Sequence, residues 1–95
     1  MKFSIITVVL NDYKNIEKTI LSVQDQYYKN KEHIIIDGKS EDGTSEIIKK
    51  YYKKVRHFRK KDESLYDAIN NGIKKSKGKI IFLIHSGDIF CDKNI

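Results

Sequence analysis

Among its 95 residues the chain holds one cysteine, Cys91, and neither proline nor tryptophan. A single cysteine excludes an internal disulfide framework and any cysteine-based zinc cluster. A reducing cytosol is then the simplest compartment. Long hydrophobic runs are missing too. No stretch approaches the roughly 20 apolar residues that a membrane span needs. The short run from Phe3 to Leu10 behind Lys2 ends in Asn11-Asp12, so no secretory signal is expected there. Repeats, low-complexity tracts and Gly/Ser linkers are absent as well. Such a length suits one small domain with a modest core.

Basic residues are plentiful. Nineteen Lys and Arg stand against thirteen Asp and Glu, a net charge of +6. The excess is uneven. Lys49 to Lys61 carries eight basic residues and no acid, and Lys74, Lys75, Lys77 and Lys79 form a second cluster. Such blocks attract polyanions, among them nucleotide phosphates, nucleic acid or an anionic membrane surface. The plainer reading is a solvated helix face, and charge alone selects no partner.

Apolar runs alternate with helical patterns. Ser4 to Val9 reads as a buried strand rich in β-branched residues. Asn11 or Asp12 caps a helix through Gln26, whose Ile16, Ile20, Val23 and Tyr27 share one face. His33 to Asp37 is a second strand. A turn-rich loop, Asp37 to Gly43, leads to a second helix from Thr44 through Lys53. Val55 to Phe58 is a short third strand. Ser64-Leu65-Tyr66-Asp67 has the spacing of a capping box. The helix after it places Leu65, Ala68, Ile69, Gly72 and Ile73 on one face, and Gly78 ends it. Lys79 to Ile84 is the fourth strand.

The order βαβαβαβ predicts an α/β fold: a Rossmann-like parallel sheet with helices on both faces. Right-handed crossovers favour the strand order 3-2-1-4. The switch point then lies between the first and fourth strands, where ligands bind in open α/β sheets. Val9-Leu10-Asn11 and His85-Ser86-Gly87-Asp88 flank that crevice.

Four segments follow predicted strands and carry candidate chemistry. Thr7 to Asp12 joins a strand end to a helix start, which leaves backbone N–H groups free for a base or ribose, or is an ordinary helix cap. Asp37 to Thr44 offers the Asp37 carboxylate to a base or sugar, with Gly38 admitting close approach, or is an Asx turn. Asp67 lies in the first turn of its helix, where it faces a donor sugar or phosphates, or completes the capping box. Asp88 sits past the fourth strand, where one carboxylate suits a hard divalent cation bridging a diphosphate. His33 and His57 have no partner at metal-ligand spacing.

Four stretches together resemble family 2 glycosyltransferases of the A-type glycosyltransferase fold, in the branch that builds bacterial surface polysaccharides such as O-antigen or capsule. These are Ser4 to Asn11, Ile34 to Thr44, Tyr66 to Ile73 and Gly78 to Asp88, and the likeness covers nearly all 95 residues. It implies a nucleotide-sugar donor, commonly a UDP-sugar, and a divalent metal, Mn2+ or Mg2+. It places Thr7, Val8, Val9 and Asn11 at the nucleoside, Asp37 at the base near Ser40, and Asp67 in the donor pocket. Gly87 and Asp88 take the place of the family's Asp-x-Asp motif, with Asp88 on the metal. Many relatives carry two aspartates at the positions of Asp37-Gly38 and Gly87-Asp88, a tyrosine at Leu10 and an asparagine at His85.

The resemblance further implies a saccharide or lipid-linked saccharide acceptor, a cytoplasmic location with peripheral contact to the inner membrane, and no nucleic acid. The whole chain, residues 1–95, is then the nucleotide-sugar-binding half. Relatives continue past the metal motif to an acceptor site and a catalytic carboxylate base. That base is therefore expected beyond Ile95, and a fragment with little or no activity alone is expected with it. The other readings are a non-catalytic nucleotide-binding α/β module and, more weakly, a dinucleotide-binding Rossmann domain, which should carry G-x-G-x-x-G in its first βα turn. A receiver-like domain would cluster acids at the first strand end, where only Asp12 stands. A nucleic-acid binder would use the basic run with Tyr51, Tyr52 and Phe58.

Overall fold

A computed structural model describes residues 2–25, 30–61 and 65–85. β1 (Phe3–Val9), β2 (Lys31–Asp37), β3 (Arg56–Arg59) and β4 (Ile80–His85) alternate with α1 (Ile16–Gln24), α2 (Thr44–Lys49) and α3 (Leu65–Lys75). All pairings are parallel, and the sheet order is β3-β2-β1-β4. The expected order 3-2-1-4 is the one observed.

Both central strands are buried on both faces, which explains their near-continuous apolar sequences. On one face Val9 and Ile35 pack with Ile16 and Ile20 of α1, Ile48 of α2 and Val55. On the other, Ile6, Val8, Ile34 and Ile36 pack with Ala68 of α3. Helices therefore cover both faces. Between β1 and β4, Ile5, Val23 and Ile84 extend the core, and Phe3 meets Phe82 edge to face at 5.5 Å.

Helix ends differ from the sequence expectation. α1 begins at Ile16, with Asn15 at the N-cap and no side-chain cap bond. Asn11 takes a left-handed φ of 50°, and the Asp12 carbonyl accepts from the N–H groups of Asn15 and Ile16. A turn thus separates β1 from the helix, which starts later than its polar residues suggest. α1 ends at Gln24 rather than Gln26, and Tyr27 lies outside the described residues. α2 ends at Lys49 because Tyr51 and Lys54 donate three residues back, to Ile48 and Tyr51, the tighter pattern common at helix ends.

A buried Glu32 staples the amino ends of the sheet. It accepts from Ser4 Oγ at 2.5 Å, Lys77 N at 2.5 Å and Arg56 Nη1 at 2.9 Å, and Arg56 also donates to the Lys75 carbonyl at 2.7 Å. Burial alone would raise the Glu32 pKa, but these bonds outweigh it and hold the carboxyl below the usual range. Gly78 does more than stop a helix, which ends earlier, at Lys75. A Cβ there would lie 2.6 Å from the Lys2 carbonyl and the Ser4 Oγ. This close approach sends the chain from α3 into β4 beside β1.

Candidate functional site at the carboxyl end of the sheet

Val9, Asp37, Arg59 and His85 end their strands at one edge of the sheet. Val8 pairs with His85, so the chain leaves β4 level with the end of β1. α3 packs over β1 and β2. Its first turn, with Asp67, starts at this edge because α3 runs antiparallel to the strands it covers. Three of the four segments picked out in the sequence, at the end of β1, after β2 and at the start of α3, thus lie at this edge. Gly87 and Asp88 themselves lie outside the described residues, and so does Ile95, beyond which the catalytic base is expected.

Thr7, Val8 and Val9 point into the core. Thr7 is fully buried, and its Oγ1 lies 2.7 Å from His33 Nε2. Burial without a compensating charge lowers the His33 pKa to about 3, so the ring stays neutral. Its Nδ1 has no hydrogen-bond partner among the described residues. His33 also lines an open cavity of about 190 Å³ with Val23, Gln24, Lys31 and Lys54, at the amino end of β2 and away from the crevice.

The loop after β2 folds back onto the end of β1. Ser40 Oγ accepts from Asn11 N at 2.9 Å, Thr44 Oγ1 from Asp12 N at 2.9 Å, and Asp42 Oδ2 from Tyr13 N at 3.3 Å. Asn11 Oδ1 accepts from Glu41 N at 2.7 Å, and the Val9 carbonyl from Gly38 N at 3.0 Å. The N–H groups of Asn11 and Asp12, expected to stand free after β1, are thus taken by this loop. Lys39 is held at φ 64°, a left-handed conformation uncommon for a residue with a side chain.

Asp37 is fully buried at the root of the loop. Its Oδ1 accepts from Ser40 N at 2.9 Å, and its Oδ2 from Ser45 Oγ and from His57 Nε2, the latter at 3.1 Å. Burial favours the neutral acid, but the bonds from His57, Ser45 and Ser40 prevail, and the carboxyl lies well below the usual carboxylate range. Arg59 Nε stands 4.0 Å from the same carboxylate. It donates to Ser45 Oγ at 3.2 Å, while Arg59 Nη2 donates to the Ser40 carbonyl at 3.2 Å. His57, Arg59 and Ser45 were not picked out from the sequence. Their signal is the parallel register, which sets Asp37 opposite Arg59 and puts His57 and Arg59 on one face of β3.

Leu10, 61% exposed, leans over Gly38, where a Cβ would lie 3.4 Å from its Cδ1. Apolar surface and the hydrogen-bonded loop thus lie together at the end of β1. No cluster of three His, Cys, Asp or Glu side chains that would hold a metal occurs among the described residues. No described helix is long and apolar enough to cross a membrane.

Comparison with known proteins bears on this arrangement. An uncharacterized glycosyltransferase of Mycobacterium tuberculosis is 32% identical over 94 residues, covering 97% of this chain and 36% of the relative. The poly(ribitol-phosphate) β-N-acetylglucosaminyltransferase TarP of Staphylococcus aureus is 34% identical, covering 97% of this chain and 30% of TarP. The chain thus spans about a third of the length of these relatives. Among solved structures, S. aureus TarS residues 1–349 in complex with UDP superposes with a TM-score of 0.83 at 26% identity, over 99% of this chain and 29% of that one. The mannosyltransferase PcManGT of Pyrobaculum calidifontis reaches 0.85 at 16% identity, over 96% and 29%, and shares the fold. The sheet is that of the A-type glycosyltransferases. The model of "Glycosyl transferase family 2" matches residues 4–94, and the chain belongs to that family.

Proposed function

We propose that these 95 residues form the nucleotide-sugar-binding part of a metal-dependent transferase that delivers a sugar, from a UDP-sugar, to a saccharide acceptor in bacterial surface-polysaccharide synthesis. The observation that carries the reading is the loop of residues 38–44 clamped onto the end of β1, at the edge of the sheet where β4 also ends. Likeness to TarS, solved with UDP and with UDP-GlcNAc, supports the donor class. Likeness to TarP, named for GlcNAc transfer to poly(ribitol-phosphate), supports a surface-polymer acceptor.

The donor set is Thr7, Val8, Val9, Asn11, Asp37, Ser40, Asp67 and Gly87. Thr7 to Val9 shape the floor from within the core. Asp37 and Ser40 hold the loop against Asn11. Asp67 offers a carboxylate at the start of α3. Asp88, three residues beyond the end of β4, takes the divalent metal, Mn2+ or Mg2+, whose chemistry is to stabilise the diphosphate leaving group. The acceptor hydroxyl must lose a proton to a base. None of these residues is assigned that role, and the base is looked for beyond Ile95. The 95 residues alone are expected to bind donor and transfer little or no sugar.

Calorimetry with UDP, with and without Mn2+, tests the reading. Binding that strengthens with the metal is expected. Absence of metal-dependent binding overturns it.

A further inference from the structure

We propose that the base subsite discriminates only weakly between uracil and guanine, so that UDP and GDP bind this chain with similar affinity. The inference rests on the nucleotide-donor reading above. Strong base selectivity needs polar groups that would be left unpaired by the wrong base. A site built on such groups rejects a mismatched ligand by about 10⁴-fold or more, whereas an apolar surface reaches only about 10²-fold.

At the end of β2 the group placed to read a base N–H is the Asp37 carboxylate. It is buried, and both of its oxygens are engaged, with Ser40 N on one and Ser45 and His57 on the other. Turning it toward a ligand would break all three bonds and strip the negative partner from a buried cluster. Its neighbour Gly38 has no side chain, and its N–H already serves the Val9 carbonyl. The backbone donors of Asn11, Asp12 and Tyr13 are taken by Ser40, Thr44 and Asp42, and the Asn11 Oδ1 acceptor by Glu41 N. The N3–H of uracil and the N1–H of guanine therefore meet no carboxylate from β2.

Over this saturated floor lies Leu10, 61% exposed and in contact distance of the Gly38 position. It presents apolar surface to the flat face of any base. Side-chain donors remain at this edge in the Asn11 amide nitrogen and in Arg59, whose guanidinium is 44% exposed. The O4 of uracil and the O6 of guanine accept from such donors alike.

Parallel calorimetric titrations of the chain with UDP and with GDP, both in Mn2+, test this, and the Leu10→Ala variant is titrated beside it. Dissociation constants within about tenfold of each other are expected, with Leu10→Ala weakening both by a similar factor of about five, as for loss of roughly 1 kcal/mol of apolar contact. A preference above tenfold for one base, or a Leu10→Ala effect confined to one nucleotide, overturns the inference and leaves the donor reading standing. If neither nucleotide binds while circular dichroism shows a folded chain, the donor reading itself falls and this inference with it.

Discussion

His57 Nε2 on β3 lies 3.1 Å from the Asp37 carboxylate on β2, joining two strands at the edge where the candidate site opens. Asp37 also receives Ser45 Oγ from the first turn of α2 and Ser40 N from its own loop. One buried carboxylate therefore ties β2, β3, α2 and the loop of residues 38–44 together. The loop in turn holds Asn11 at the end of β1.

Removing that charge should loosen the whole corner. Asp37→Asn leaves His57, Ser45 and Arg59 around a neutral amide that carries donors of its own. Leaving buried hydrogen-bond donors without their acceptor typically costs about 1–3 kcal/mol, and urea unfolding should show a loss of that size. The Glu41 and Asn11 amides should also exchange faster with deuterium, because the loop they close is rooted at Asp37. A variant as stable as the parent would remove Asp37 from its structural role.

On acidification, stability should begin to fall well above the carboxylate range, because of His33. Its folded-state pKa, about 3, lies below its usual value of 6.5. The unfolded chain therefore binds a proton first as pH drops. The contribution is undiminished above 6.5 and declines toward 3, by about 1.4 kcal/mol per pH unit from this one ring. Urea midpoints between pH 6.5 and pH 5 should show the slope, and His33→Gln should flatten it relative to the parent. Equal slopes in both chains would contradict the burial of a neutral imidazole beside Thr7.

Two glycines should respond differently to alanine. At Gly78 the new Cβ would meet the Lys2 carbonyl, the Ser4 Oγ at 2.6 Å and the Ser4 N at 2.8 Å, mostly backbone that cannot give way. At Gly72 it would meet the Ile6 side chain, at 2.6 Å from Cγ2, which can shift at some packing cost. Overpacking of the Gly72 kind costs about 1–3 kcal/mol. Gly78→Ala should cost more, and it should disturb the amide shifts of both β1 and β4 in a proton–nitrogen spectrum. A smaller loss at Gly78 than at Gly72 would mean that the turn into β4 sits less tightly against β1 than described.

Asp88→Asn bears on the proposed metal site. A carboxylate that bridges a divalent ion to a diphosphate cannot be replaced by an amide without loss of ion affinity. UDP binding in Mn2+ should fall by at least about tenfold, the equivalent of roughly 1.4 kcal/mol, and EDTA should bring the parent chain to the same level. Undiminished, Mn2+-dependent binding by Asp88→Asn would move the metal to other residues.

Much of the architecture was legible because strand and helix periods are local. The β-branched runs at Ile5 to Val9 and Ile34 to Ile36, and the face of Ile16, Ile20 and Val23, are now the buried cores of β1, β2 and α1. Handedness then restricted the order of the strands. Helix ends were less legible. Asp12 looks like an N-cap in the sequence, yet its amide is drawn to Thr44, 32 residues away, and its carbonyl closes a turn ahead of α1. Ile73 illustrates the same limit. It falls on the apolar face expected for α3 but is 43% exposed, because α3 packs over β1 and β2 rather than over β4.

Local pattern determined the alternation of strands and helices, and with the right hand of the crossovers it determined the central place of β1 and the edge of the sheet where the loops after the strands would collect. Only the tertiary structure decided which way those groups face. Asp37 stands at a strand end in either view, but it turns inward because His57 comes from β3 and Ser45 from α2, and both supply hydrogen bonds that water would otherwise provide. The direction of a side chain at a strand end is set by partners distant in sequence, and no local period encodes them.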